Sequence, residues 1–160
     1  MTIFADMITL DDIRKPVTAE LEALDEFVDR QFTAEGELLS DMLRYALSAR
    51  GKGIRPMLVM LSAAMNAPVK GAAAGRRACL AAMLVEMIHV ASLIHDDVID
   101  EADMRRGKPS ANARWQSHKA VILGDYILAK NMNIGLQSGQ FDLVTHVCGS
   151  MAVIWPTSPL

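Results

Sequence analysis

Aromatic residues are scarce in this chain of 160 residues, at 5% of the sequence, although β-strands favour them together with β-branched residues. Methionine is abundant instead, with 11 copies, and so is alanine, which suits packed helices. Cysteine occurs only twice, at Cys79 and Cys148, without the spacing of a metal site. The composition therefore favours an α-helical protein with reduced, buried thiols over a β-sandwich or a disulfide-rich domain.

A basic excess is also missing, because the formal net charge is −3, and this argues against general binding of nucleic acid. The first residues contain neither the basic cluster nor the apolar stretch of a signal peptide. The most apolar run, residues 80–94, is interrupted by Glu86, His89 and Ser92 and is too short to span a bilayer. We therefore expect a soluble, cytoplasmic protein with no transmembrane segment and no nucleic-acid partner.

Apolar residues recur at helical spacing along most of the chain, and no segment shows the alternation of a strand. The predicted helices begin near Thr18 and then cover residues 38–49, 56–65, 73–102, 114–137 and 141–154. The segment 73–102 is apolar on most sides, so it is predicted to lie at the centre of the fold. The pattern predicts an all-α helical bundle in one domain over residues 1–160, with an irregular tail at 155–160.

An acidic cluster ends the predicted central helix. Asp100 lies four residues after Asp96 and three after Asp97, so the three side chains can converge on one edge of a helix. Such carboxylates suit Mg²⁺, which takes one or two of them together with water and substrate phosphates. Arg105 and Arg106 follow a few residues later and can hold a phosphate in a bidentate fork. This pattern indicates a site for a metal-complexed diphosphate, although a solvated helix end would have the same composition.

A second cluster of cations lies in the glycine-containing loop at residues 51–56. Lys52 and Arg55 precede the next helix, whose first N–H groups already favour an anion. An ordinary solvated turn is the alternative interpretation. His89, about two turns before Asp96, is a third candidate, and a buried structural histidine is the alternative there.

Three segments together resemble the trans-type polyprenyl diphosphate synthases, with the closest likeness to bacterial octaprenyl-type enzymes. They are residues 51–56 (Gly-Lys-Gly-Ile-Arg-Pro), residues 86–100 from Glu86 through the acidic cluster, and residues 103–109 (Asp-Met-Arg-Arg-Gly-Lys-Pro). The match in order and spacing runs from residue 45 to about 150. The resemblance implies an isoprenoid synthase fold that is incomplete at the C-terminus, and a homodimer.

The resemblance also implies roles for individual residues. Asp96, Asp97 and Asp100 match the aspartates that hold Mg²⁺ on an allylic diphosphate, and Arg105 matches the arginine that grips that diphosphate. The residues that match the isopentenyl diphosphate site are Lys52, Arg55, His89 and Arg106. The implied reaction is head-to-tail addition of isopentenyl units to the allylic diphosphate.

Product length is implied by the side chains just before the acidic cluster. Bulky residues there close the product cavity in this family, whereas Ala91 and Ser92 are small and imply a long polyprenyl product. Ile88 lies deeper, and it is a candidate for the floor of the cavity or for ordinary core packing.

The sequence departs from the family in its length and in its acids. Family members are about twice as long, and their second aspartate-rich motif has no counterpart here, because Asp125 and Asp142 are the only acids after Asp103. Arg50 and Gly53 also replace the residues usual in the first loop. Two alternatives therefore stand beside a prenyltransferase: a non-catalytic partner subunit or defunct fragment, and a class I terpene cyclase. The cations of the isopentenyl site argue against the cyclase.

Overall fold

The computed structural model describes residues 8–48, 51–67 and 75–154, with side chains as far as residue 150. These residues form eight α-helices, one 3₁₀ turn and one short hairpin of two strands. The helices are α1 (Leu10–Arg14), α2 (Thr18–Gln31), α3 (Glu37–Ser48), α4 (Ile54–Met65), α5 (Arg76–Ile99), α6 (Ala111–Trp115), α7 (Ser117–Gln137) and α8 (Phe141–Ile154). The 3₁₀ turn is Lys15–Val17, and the antiparallel strands are β1 (Met104–Arg105) and β2 (Lys108–Pro109).

Helix α5 is the central element of the fold, as its apolar sequence predicts. It packs most extensively against α7 and then against α4, with further contacts to α2 and α8. Its largest buried side chains, Met83, Leu84 and Met87, are fully enclosed. By length and composition α5 could cross a membrane, but half of its most apolar stretch is buried inside the protein. The burial is that of a core helix.

The sequence explains most of the helix boundaries. Thr18 opens α2 and residues 141–154 form α8, both as predicted. Pro56 lies in the first turn of α4, where its missing N–H has no intrahelical partner to lose. Helix α5 ends three residues earlier than predicted, at Ile99, because the chain turns into the hairpin that carries Arg105. The predicted tail 155–160, and residues 49, 73 and 74 of the predicted helices, lie outside the described residues.

The predicted helix over 114–137 is wrong at its start, because Gln116 breaks it into α6 and α7. Gln116 has φ 72° and ψ 155°, a conformation that is essentially restricted to glycine. Its backbone N–H still bonds to the carbonyl oxygen of Asn112, and its carbonyl accepts from Ala120 at 3.1 Å. The break turns the chain between the two helices at a cost in backbone strain.

Replacing Gln116 with glycine should therefore stabilise the protein. We expect a gain of about 1 kcal/mol, or about 3 °C in the unfolding midpoint, since relief of strain outweighs the added chain entropy of glycine. Gln137→Gly, at the last residue of α7, is the matched control and should destabilise slightly. Thermal unfolding followed by circular dichroism measures both. A fall in the midpoint for Gln116→Gly would show that Gln116 is not strained.

Candidate functional site

The three aspartates at the end of α5 do not share one environment. Asp96 and Asp100 are exposed, whereas Asp97 is buried with only 3% of its surface accessible. Among the described residues, no group of three or more histidines, cysteines or acids is arranged to hold a metal ion. The expected convergence of all three carboxylates is therefore not seen. Two of them face solvent from one side of the helix, and the third faces inward.

The buried carboxylate of Asp97 is paired with Arg105 on β1. Arg105 Nε donates to both carboxylate oxygens, at 2.8 and 2.7 Å, and Nη2 donates to Oδ1 at 2.6 Å. These charge-assisted hydrogen bonds raise the pKa of Arg105 above its usual value. The pair joins the last turn of α5 to the hairpin, so Asp97 fixes where the guanidinium lies.

The hairpin turn places Arg106 beside the loop at residues 51–56, whereas Arg105 pairs with Asp97. Arg106 and Gly107 are the two turn residues and have φ 52° and 76°, as a tight hairpin of this kind requires. The guanidinium of Arg106 lies directly against the backbone of Gly51, where any Cβ would collide with it. The absence of a side chain at Gly51 lets the guanidinium approach the backbone closely, and this contact brings together the loop at residues 51–56 and the hairpin.

Three residues that the sequence analysis missed support the hairpin. Tyr45 on α3 donates its hydroxyl to the carbonyl oxygen of Pro109 at 2.7 Å. Its ring meets Trp115 edge to face, with centroids 5.1 Å apart. Arg114 lies over both rings, at 4.5 and 4.7 Å. Their contacts join α3, the hairpin and α6. They therefore help to fix the position of the hairpin that carries Arg105 and Arg106.

A small cavity of about 50 Å³ lies between α3, α5 and the hairpin. Its polar lining residues are Tyr45, Glu86, His89, Asp97, Arg105, Arg106, Lys108 and Ser110. Lys52 and Arg55 are exposed and do not line it, although Arg55 is close enough to act on the charge of His89. The structure thus brings His89, Arg105 and Arg106 together, with Arg55 beside them and Lys52 in the adjoining loop.

His89 is in an environment that favours its neutral form. Burial lowers the pKa of His89 below its usual value, and the cations of Arg55, Arg106 and Arg105 lower it further, while Asp96 acts in the opposite direction. A neutral imidazole beside three guanidinium groups can accept a hydrogen bond or give one to a phosphate oxygen.

We predict that His89 titrates below pH 6.5, its ordinary value, and is neutral near physiological pH. The unfolded chain then holds this proton more tightly than the folded protein. His89 therefore weakens the fold as the pH falls through 6.5 and has no such effect above it. NMR titration of the ring measures the pKa directly, and inorganic pyrophosphate should raise it by offsetting the cations. His89→Gln should lose this part of the acid sensitivity, and a pKa at or above 6.5 would contradict the prediction.

The candidate chain-length residues occupy two faces of α5. Ser92 and Ile88 are half-buried and lie four and eight residues before Asp96, on the same side of the helix. Ala91 is only 2% exposed and lies within the apolar core. Of the two small residues, Ser92 is thus the one that shares a helix face with the exposed Asp96, one turn before it.

Comparison with known proteins covers most of the chain. Residues 36–154 match the family described as polyprenyl synthetase. An octaprenyl diphosphate synthase from Escherichia coli is 31% identical over 92% of this chain and 44% of its own length. The solved decaprenyl diphosphate synthase from Rhodobacter capsulatus covers 90% of this chain and 43% of that chain, at 29% identity and a TM-score of 0.79.

A solved polyprenyl synthase from Caulobacter crescentus, in complex with calcium and isoprenyl diphosphate, shows the same fold with a TM-score of 0.71. It is 24% identical and covers 82% of this chain and 38% of that chain. The chain spans less than half the length of the relatives it matches, between 32% and 44% for three curated ones. These likenesses confirm the predicted all-α fold and the predicted family, and this chain belongs to the polyprenyl synthetase family.

Proposed function

We propose that this chain forms the first metal site and both diphosphate-binding clusters of a prenyltransferase. That enzyme would add isopentenyl diphosphate head to tail to an allylic diphosphate and make a long polyprenyl diphosphate. The observation that supports this most is the two-sided end of α5. Exposed carboxylates project from one side, and a cavity lined by His89 and Arg106 lies on the other. Arg105 lies between them, close enough to interact with the charges of Asp96 and Asp100. Two diphosphates could therefore approach one helix end from different directions.

The exposed carboxylates fit a divalent cation. Asp96 and Asp100 are one helical turn apart, and no side-chain hydrogen bond or ion pair engages either carboxylate within residues 8–48, 51–67 and 75–150. Two carboxylate oxygens with open positions for water and phosphate are what Mg²⁺ usually takes. The cation would neutralise charge on the departing diphosphate. We assign the metal to Asp96 and Asp100 and revise the role expected for Asp97.

Asp97 is proposed to position Arg105 instead of binding the metal. Its carboxylate uses Nε and Nη2 of the guanidinium, while Nη1 makes no hydrogen bond within the described part of the chain. Arg105 is 31% exposed at its side chain, so Nη1 can donate to the allylic diphosphate. Held in this way, the guanidinium would stabilise charge that develops on the leaving group without first having to reorganise.

The second diphosphate is assigned to the basic cavity and the loop beside it. Arg106, His89, Arg55 and Lys52 would hold isopentenyl diphosphate through their N–H groups. Ser92 and Ile88 would line the start of a separate product cavity for the growing chain. A small side chain there leaves room for a long product. Homodimerisation stays a prediction from the resemblance, and a cytoplasmic location stays a prediction from the sequence.

A non-catalytic partner subunit or fragment is the second candidate. Within the sequence after Asp103, the only acids are Asp125 and Asp142, and they lie at different ends of the fold. Asp125 is next to His95 near the metal site, whereas Asp142 pairs with Arg77 at the start of α5. No second carboxylate cluster can form from these two residues.

Incubation with farnesyl and isopentenyl diphosphates and Mg²⁺, with an EDTA control, tests the proposal. We expect Mg²⁺-dependent binding of farnesyl diphosphate, measured by calorimetry, and long polyprenyl products on chromatography. Binding without elongation would support the partner or fragment. Failure to bind farnesyl diphosphate with or without Mg²⁺ would contradict both.

A further inference from the structure

Helices α5 and α7 approach each other closely at two glycines of α7, Gly124 and Gly135. The ring of His95 lies so close to Gly124 that a Cβ there would collide with it. At Gly135, a Cβ would make a tight contact of 3.1 Å with Leu84, and its nearest neighbour, at 2.8 Å, would be Val144 of α8. The two pairs are eleven residues apart on both helices, and they run in opposite directions. The helices are therefore antiparallel and close together over about three turns.

Asn131 fixes the same register from within the core. It is fully buried, and its Nδ2 donates to the carbonyl oxygen of Leu84 at 2.9 Å. A shift of one residue along either helix would rotate its contacts by about 100° and break this bond. The position of α5 along α7 is consequently set by one polar contact and two glycine contacts.

The contact between His95 and Gly124 lies next to the proposed metal site. His95 Nε2 is 3.3 Å from the carbonyl oxygen of Val121 and 3.3 Å from Oδ1 of Asp125, so both oxygens are within reach of this ring nitrogen. His95 directly precedes Asp96 in the last turns of α5. A ring that contacts three residues of α7 restricts the backbone from which the Asp96 side chain projects.

We propose that Gly124 and Asp125 of α7 are positioning residues for the divalent-cation site, acting through His95 on the Asp96 carboxylate. This inference rests on the proposed function. A defined direction for the carboxylate reduces the freedom that cation binding must remove, and contacts just outside a ligand set commonly tune metal affinity in this way. Neither residue is expected to touch the metal or a substrate.

Gly124→Ala, Asp125→Asn and the double variant Gly124→Ala/His95→Ala test the inference. Mn²⁺ affinity, measured by EPR at a temperature where each variant is folded, is read beside the unfolding midpoint. Gly124→Ala should lower the midpoint by about 5 °C and weaken Mn²⁺ binding about 5-fold. The double variant removes the colliding ring, so it should regain the midpoint but not the affinity. Asp125→Asn should weaken binding with an unchanged midpoint, because that side chain is 66% exposed.

Gly149→Ala is the matched control, since a Cβ at Gly149 on α8 would meet no atom within 4 Å, and it should leave Mn²⁺ affinity unchanged. Recovery of affinity together with the midpoint in the double variant would overturn the inference, because Gly124 would then act on stability alone. Wild-type affinity in Asp125→Asn and Gly124→Ala would also overturn it. If the wild-type protein binds no Mn²⁺, or if Asp96→Asn binds it as well as wild type, the proposed function itself fails.

Discussion

Replacing Asp96 with asparagine is expected to reduce Mg²⁺-dependent prenyl transfer by about 1000-fold or more. The amide keeps the size of the side chain but removes the charge that attracts a hard cation, and the metal would otherwise neutralise the leaving diphosphate. Asp96 is exposed, so the variant should fold normally. The effect should therefore appear in turnover and in metal affinity, and circular dichroism should be unchanged.

Asp103→Asn is the matched control for this experiment. It removes the same charge from an exposed aspartate close by, on the loop that leads into β1. Turnover of that variant should stay close to the wild-type value. Equal losses in the two variants would mean that net charge at this end of the molecule matters, and the assignment of the metal to Asp96 would not hold.

Arg105→Ala should be the most destabilising single substitution in the site. It leaves the Asp97 carboxylate buried at 3% exposure without its guanidinium, and stranded buried charges typically cost about 3–5 kcal/mol. Because Arg105 is itself partly exposed, we expect the lower end of that range, about 3 kcal/mol, or about 10 °C in the unfolding midpoint. Urea unfolding at neutral pH measures the free energy.

A surface ion pair provides the comparison. Arg44 and Asp41 are 3.0 Å apart on α3, with 76% and 51% of their side chains exposed, so Arg44→Ala should cost less than about 1 kcal/mol. A double-mutant cycle with Asp97→Asn should show strong coupling to Arg105. Similar losses in Arg105→Ala and Arg44→Ala would refute the structural role given to the buried pair.

The helical periodicity of α5 already predicts that Asp96 and Asp97 lie on different faces of the helix. Val90, Ile94 and Asp97 are separated by four and three residues, so they fall on the buried face of α5, whereas Asp96 follows Ser92 on another face. Helical periodicity therefore separates Asp97 from Asp96. The expectation that all three carboxylates bind a metal came from the resemblance and from their proximity in sequence.

Other features of the site depend on tertiary contacts that no local pattern encodes. Tyr45 reaches Pro109 across 64 positions of sequence, and its ring contacts with Trp115 and Arg114 depend on where the chain turns after α6. That turn is made at Gln116, a residue type that gives no signal for positive φ. The short hairpin likewise has too few residues for strand alternation to be detected.

Mn²⁺ titration of wild-type protein and of the Asp96→Asn, Asp97→Asn and Asp100→Asn variants, by EPR below their unfolding temperatures, separates the two sides of the helix end. Asp96→Asn and Asp100→Asn should lose Mn²⁺ affinity and keep their stability. Asp97→Asn should keep its affinity and lose stability. Loss of affinity in Asp97→Asn as large as that in Asp96→Asn would contradict the division of roles proposed for these aspartates.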